Sequence, residues 1–290
     1  MAVVLPAAVP GTRQTLMVDG RTVSFYADGP AGRPLLLIHS VNAAGSAYEV
    51  KPLYEHYRAH RPVYALELPG FGFSDRRDAP YMPRLMSDAV LAILDEIARR
   101  HDAAPDVLAL SLSCEFAARA ATERPQGLRS LALVSPTGFS RRTPPGGSPR
   151  VLAVVRFPLW DRALFRLLTT RASIRYFLRC TWGSPTIDEG MVDYDYRTAR
   201  QPGARYAPYH FVSGFLFSPE IFAVYQRLAL PVWLVHGTRG DFVDYSRAAA
   251  MQGRPNWRIT VLDGGALPHF EQTAAFLAAY DSFLAGPAAR

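Results

Sequence analysis

The chain has 290 residues, 49% of them apolar and 20% charged, a composition that excludes a disordered or fibrous protein and suits one large α/β domain with room for an insertion. Its net charge of +7 comes almost wholly from arginine, since Lys51 is the single lysine; these residues are scattered, which argues against nucleic acid as a partner. Two cysteines make no disulfide framework, no apolar run nears the roughly 18 residues of a membrane span, and the start of the chain has no basic, apolar leader pattern, so a cytoplasmic enzyme is expected.

In chain order, Gln14 to Val18 and Arg21 to Tyr26 alternate around Asp19-Gly20, the signal of a two-residue hairpin. Pro34 to Ser40 is a continuous apolar run, as in a strand covered on both faces. Ser46 to His60 predicts a helix and Arg61 to Leu68 a strand, closed by the breaker-rich loop Pro69-Gly70-Phe71-Gly72-Phe73-Ser74-Asp75. Met82 to His101 has helical spacing, and Leu128 to Val134 is a further strand. Alternation then stops. A linker from Arg141 to Pro149 leads into arginine-rich helical pieces, Pro158 to Thr169 and Ser173 to Cys180, and an aromatic stretch through Phe217. Sheet rhythm resumes at Pro231 to Gly237, followed by a helix near Tyr245 to Gln252, a strand at Trp257 to Leu262 and a final helix from His269 to Ala285. The expected fold is α/β: a mostly parallel twisted sheet flanked by helices, with a core from residues 1–138 and 229–290 and a helical lid insertion over 139–228.

One stretch organises the rest. The strand Val107 to Leu110 runs into a small-residue helix, Cys114 to Ala121, with no room for a loop, so Ser111 sits at the tip of a tight elbow. Ala109 and Ser113, two residues either side, stand where a G-x-S-x-G nucleophile motif has glycine. The bland alternative is a serine capping an ordinary strand–helix junction.

Four landmarks in order resemble the α/β-hydrolase superfamily: Leu36-Leu37-Ile38-His39-Ser40, the Pro69-Gly70-Phe71-Gly72-Phe73-Ser74 loop, the Ser111 elbow, and the paired segments His236 to Val243 and Gly264 to Glu271. The resemblance implies a serine nucleophile at Ser111, an acid after the penultimate core strand and a histidine after the last. A hydroxyl needs a base to take its proton, and the base needs a carboxylate to fix its tautomer. It also implies an oxyanion hole from the backbone N–H groups of Val41 and Leu112. Two departures stand out: Gly240 occupies the usual acid position and Ala266 the usual histidine position. Asp241, one residue on, is the candidate acid, with Asp244 as alternative, and His269 is the candidate base. A turn aspartate and a helix-start histidine are the competing structural readings.

The remaining histidines carry weaker readings: His39 packs behind the oxyanion loop, His236 reaches the site edge, His210 meets substrate, and His56, His60 and His101 face solvent. No metal-ligand spacing, phosphate loop or dinucleotide fingerprint occurs, so no cofactor and no metal are expected. The resulting expectation is a serine hydrolase that cleaves a carboxylic ester or related acyl bond through acyl-Ser111. The insertion's Leu164, Leu167, Leu168 and Phe177 would cover a small-molecule apolar acyl group. The alternatives are a non-catalytic ligand-binding protein on a hydrolase scaffold and a cofactor-free C–C hydrolase or lyase. Oligomeric state has no signal in the sequence.

Overall fold

A computed structural model describes residues 3–142 and 146–286; Thr143, Pro144 and Pro145 of the expected linker lie outside the described residues. The hairpin strands are β1 (Thr12–Val18) and β2 (Arg21–Asp28), and β3 is Leu35–Ile38. A 3-10 turn, Ala47–Val50, runs into α1 (Lys51–Tyr57), where a single longer helix was expected; Pro52 suits a helix's first turn because its missing N–H would have no partner there. Then come β4 (Val63–Leu66), α2 (Pro83–Arg100), β5 (Asp106–Leu110), α3 (Ser113–Glu123) and β6 (Ser130–Val134).

Between β6 and the next strand lie six helices: α4 (Pro149–Val155), α5 (Asp161–Leu168), α6 (Arg171–Trp182), α7 (Glu189–Ala199), α8 (Tyr206–Val212) and α9 (Ile221–Arg227). The chain closes with β7 (Val232–His236), a 3-10 turn at Ser246–Met251 in place of the expected helix, β8 (Trp257–Val261), α10 (Pro268–Glu271) and α11 (Thr273–Leu284). The expected final helix is therefore broken, and the break is at Gln272, whose backbone leaves the helical region (φ −127°, ψ 48°).

The sheet order is β1-β2-β4-β3-β5-β6-β7-β8, antiparallel at the hairpin and parallel from β4 onward. Successive residues of the inner strands alternate between two cores. Leu36, Ile38, Val107 and Ala109 join α2, α3 and α9 on one face; Leu35, Leu37, Leu108 and Leu110 join α1 and α11 on the other. This explains why those strands read as unbroken apolar runs. The chain leaves β3 toward β4 and returns to β5 on the opposite side of β3, so a crevice opens at the carboxyl ends of β3 and β5.

Candidate active site

The elbow sits in that crevice. Ser111 has φ +51°, a left-handed conformation that a residue with a Cβ adopts only under constraint. Neighbouring bonds supply it: Ser111 N–H donates to Val134 O (2.8 Å), and Cys114 N–H donates to Ser111 O (3.1 Å). Ala109 and Ser113 are fully buried, which is why small side chains flank the tip. Ser113 Oγ donates to His39 O at 2.5 Å, tying the elbow to the end of β3. Ser111 is the one residue between Pro105 and Ala118 that is not buried.

Of the two expected oxyanion donors, Leu112 follows Ser111 directly and Val41 lies three residues past the end of β3, the strand paired with β5. Among the described residues neither Val41 N–H nor Leu112 N–H has a hydrogen-bond partner. The Val41 loop is held from beneath by Glu49, which sequence reasoning missed. Its carboxylate accepts from Ser40 N–H (2.7 Å) and from Asn42 Nδ2 (2.6 Å), while Asn42 Oδ1 accepts from Ala44 N–H (2.7 Å). Burial pushes the Glu49 carboxyl upward, and the bonds from Ser40 and Asn42 oppose the shift. Asp195 of α7, also fully buried, is raised well above the carboxylate range by burial and then by the nearby charges of Glu49 and Asp188. A glutamate in a predicted amphipathic helix gives no sequence signal of such a role. His39 is buried behind the loop, with Nδ1 2.6 Å from Ser40 O and Nε2 accepting from Leu68 N–H (3.0 Å).

The other side of the site is different. His269 is fully buried, its Nε2 lies 2.7 Å from Glu49 O, and its Nδ1 has no partner among the described residues. Burial pushes its pKa down to about 4, so the ring is neutral. Asp241 is exposed, and it contributes its N–H to Cys180 O (3.0 Å) rather than its carboxylate to an imidazole. Asp244 accepts from Ser140 Oγ (2.6 Å) and Ser246 N–H (3.2 Å), bonds that hold its carboxyl well below the usual range. The structure joins neither Asp241 nor Asp244 to His269 by a hydrogen bond.

The end of α6 fills the gap. Ala266 N–H donates to Thr181 O (2.9 Å), and a Cβ on Gly240 (φ +88°) would fall 2.5 Å from Cys180 O. A Cβ on Gly265 would fall 2.4 Å from Trp182 O. The two family positions that lack their acid and base, Gly240 and Ala266, are therefore both in backbone contact with residues 180–183. His236 is half-buried at the end of β7, bonded through Nδ1 to Gly237 O (2.9 Å) and stacked on Tyr245 with centroids 3.9 Å apart. In sheet register Ser111, Ser135 and His236 follow the paired residues Leu110, Val134 and Val235, and Ser135 is itself left-handed (φ +47°). His210 is buried, with Nδ1 2.9 Å from Tyr206 O, against Tyr81 and Phe215. His60 is exposed, whereas His56 and His101 are partly buried, His101 bonded to Tyr64 Oη at 2.8 Å. Leu167, Leu168 and Phe177, expected over an acyl group, are exposed on the outside of the helices. Leu167 sits at the helix position opposite the buried Phe165.

A parallel sheet with a left-handed serine at the strand–helix junction next to its topological switch point defines a hydrolase-type scaffold. The chain matches the α/β hydrolase family over residues 35–279, and it belongs to that family. Among solved structures it is similar to a probable hydrolytic enzyme from Pseudomonas aeruginosa, with 18% identity, a TM-score of 0.77, and 97% of this chain and 96% of that one covered. It is similar also to a serine hydrolase involved in carbazole degradation (17%, TM-score 0.74, 94% and 98% covered). A third is a meta-cleavage product hydrolase from Pseudomonas fluorescens (16%, TM-score 0.71, 93% and 97% covered). A curated relative, the dihydrolipoyllysine-residue acetyltransferase component of the acetoin cleaving system of Cupriavidus necator, is 33% identical over 124 residues, 42% of this chain and 31% of that protein. The chain thus spans about a third of that relative's length. Among the described residues no helix is long and apolar enough to cross a membrane, and no group of three or more His, Cys, Asp or Glu is placed to hold a metal ion.

Proposed function

We propose that the chain is a serine hydrolase that cleaves a carboxylic ester or related acyl bond through an acyl-Ser111 intermediate. The observation that carries this reading is the elbow: Ser111 is held at φ +51°, and the N–H groups of Val41 and Leu112, its proposed oxyanion donors, have no acceptor of their own among the described residues. Such donors stabilise the charge that develops on the carbonyl oxygen as the tetrahedral intermediate forms, each contributing about 3 kcal/mol. His269 is the proposed base and Asp241 its orienting acid. To serve, His269 must exchange its bond to Glu49 O for one to Ser111 Oγ, and Cys180–Gly183 must withdraw to admit Asp241. Triad members act as a unit, so acylation and deacylation both depend on that exchange.

A second reading, ligand binding without turnover on the same scaffold, is supported by the contact of α6 with Gly240 and Ala266. Hydrolysis of p-nitrophenyl butyrate separates the two. The first reading requires steady turnover that falls by about a thousandfold in both Ser111→Ala and His269→Ala. A burst of one equivalent followed by no turnover, or no reaction, supports the second.

A further inference from the structure

The helices between β6 and β7 turn apolar residues outward as well as inward. On α4, Leu152 and Val155 pack toward Phe165 and Tyr209, while Val151 and Val154 face solvent. On α5, Phe165 is buried and Leu167 is 67% exposed; between the two helices Leu159 is 84% exposed, beside the ring pair Phe157 and Trp160. On α6, Ile174 and Leu178 face the core, and Tyr176 and Phe177 face water. Nine of the sixteen exposed large apolar residues of the described chain fall between Val151 and Phe177, a density that scattered surface residues do not reach.

The same segment is basic. From Pro149 to Trp182 there are seven arginines and one acid, Asp161, which is already paired with Arg205 at 2.8 Å. Among the described residues Arg150, Arg162, Arg166 and Arg179 have no carboxylate partner, whereas Arg156, Arg171 and Arg175 do. Arg162 and Arg166 stand one helical turn apart on α5, where like charges repel unless an anion lies against them.

We propose that this face docks on the surface of an anionic lipid bilayer, the arginines against phosphate headgroups and Leu159, Leu167 and Phe177 in the acyl boundary. Apolar tips interleaved with arginine on short helices are the arrangement that lies in such an interface. Charge sets the bilayer apart from a second copy of the chain, because a two-fold contact would oppose arginine to arginine. Nucleic acid offers phosphates but nothing for the three exposed leucines, Leu159, Leu167 and Leu168. The proposal is independent of the chemistry at Ser111.

The test is co-sedimentation of the full chain with vesicles of phosphatidylcholine alone or with about one-third phosphatidylglycerol, at low and high salt. Binding to the anionic vesicles is expected to exceed that to the neutral ones by about tenfold or more, and to fall as salt rises. Leu159→Ser/Leu167→Ser and Arg162→Glu/Arg166→Glu should each weaken it by about tenfold or more with the melting temperature unchanged, since all four side chains face solvent. Equal binding to both vesicle types, no binding, or binding indifferent to both double variants overturns the proposal. A concentration-dependent dimer abolished by Leu167→Ser, without vesicle binding, overturns it in favour of a second copy.

Discussion

The two halves of the crevice are built in different ways. At β3 and β5, the features that present Ser111 belong to the sheet and its edges: a strand running into a helix, small residues two positions either side, a bond from Ser113 Oγ to the end of β3, and a Val41 loop braced by Glu49. At β7 and β8 the loops after the strands depend on a distant element, the carboxyl end of α6, whose backbone carbonyls meet Asp241 N–H and Ala266 N–H. The Ser111 side is held by the sheet, whereas the Asp241 and Ala266 side is held by the end of α6. Glu49 is the joint between them, its carboxylate on the oxyanion loop and its carbonyl on His269.

The sharpest way to break this comparison is at Gly240. Gly240→Ala meets both a left-handed φ and the Cys180 carbonyl, whereas Gly253→Ala (φ +79°) meets only the φ, having nothing within 4 Å. Thermal unfolding should show Gly240→Ala to be the more destabilising by about 2 kcal/mol. Equal losses would mean that α6 does not clamp the acid loop.

Acid titration probes the joint. His269 is held neutral by burial at a pKa of about 4, below its ordinary 6.5, so the folded state binds fewer protons than the unfolded chain between those values. Its contribution is fully present above pH 6.5, fades as pH falls toward 4, and reaches up to about 3 kcal/mol. His39 acts in the same sense, while Glu67 and Glu115, raised by burial to about 7, act in the opposite one. The expected readout is therefore a difference: between pH 6.5 and 4 the melting temperature of wild type should fall more steeply than that of His269→Gln. Parallel curves would place His269 in contact with water.

The smallest effect is expected at Ser113. Ser113→Ala loses one buried bond to His39 O and should cost about 1 kcal/mol in denaturant unfolding, with ester hydrolysis retained. Loss of activity without loss of stability would transfer the nucleophile's role to Ser113.

The fold and the elbow were legible because they rest on short-range patterns, the apolar strand runs and the strand–helix junction at Ser111. The split of the last helix at Gln272 was not, since no glycine or proline marks it. Nor were α4 and α7 placed as separate helices, where polar and aromatic residues blur the period. The site's other half escaped for a different reason. That Gly240 and Ala266 lie against Cys180, Thr181 and Gly183 is a contact across about 60 to 85 residues of sequence, and no local pattern encodes it. The outward face of Leu167 and Phe177 was misread because helical spacing shows that apolar residues share a side, not which side meets the core.

The central proposal, that Ser111 is the nucleophile, is tested most directly by a serine-reactive fluorophosphonate and the mass of the labelled protein. The account predicts one adduct per chain, mapped to Ser111 and absent from Ser111→Ala. An unlabelled protein, or an adduct that survives in Ser111→Ala, would contradict it.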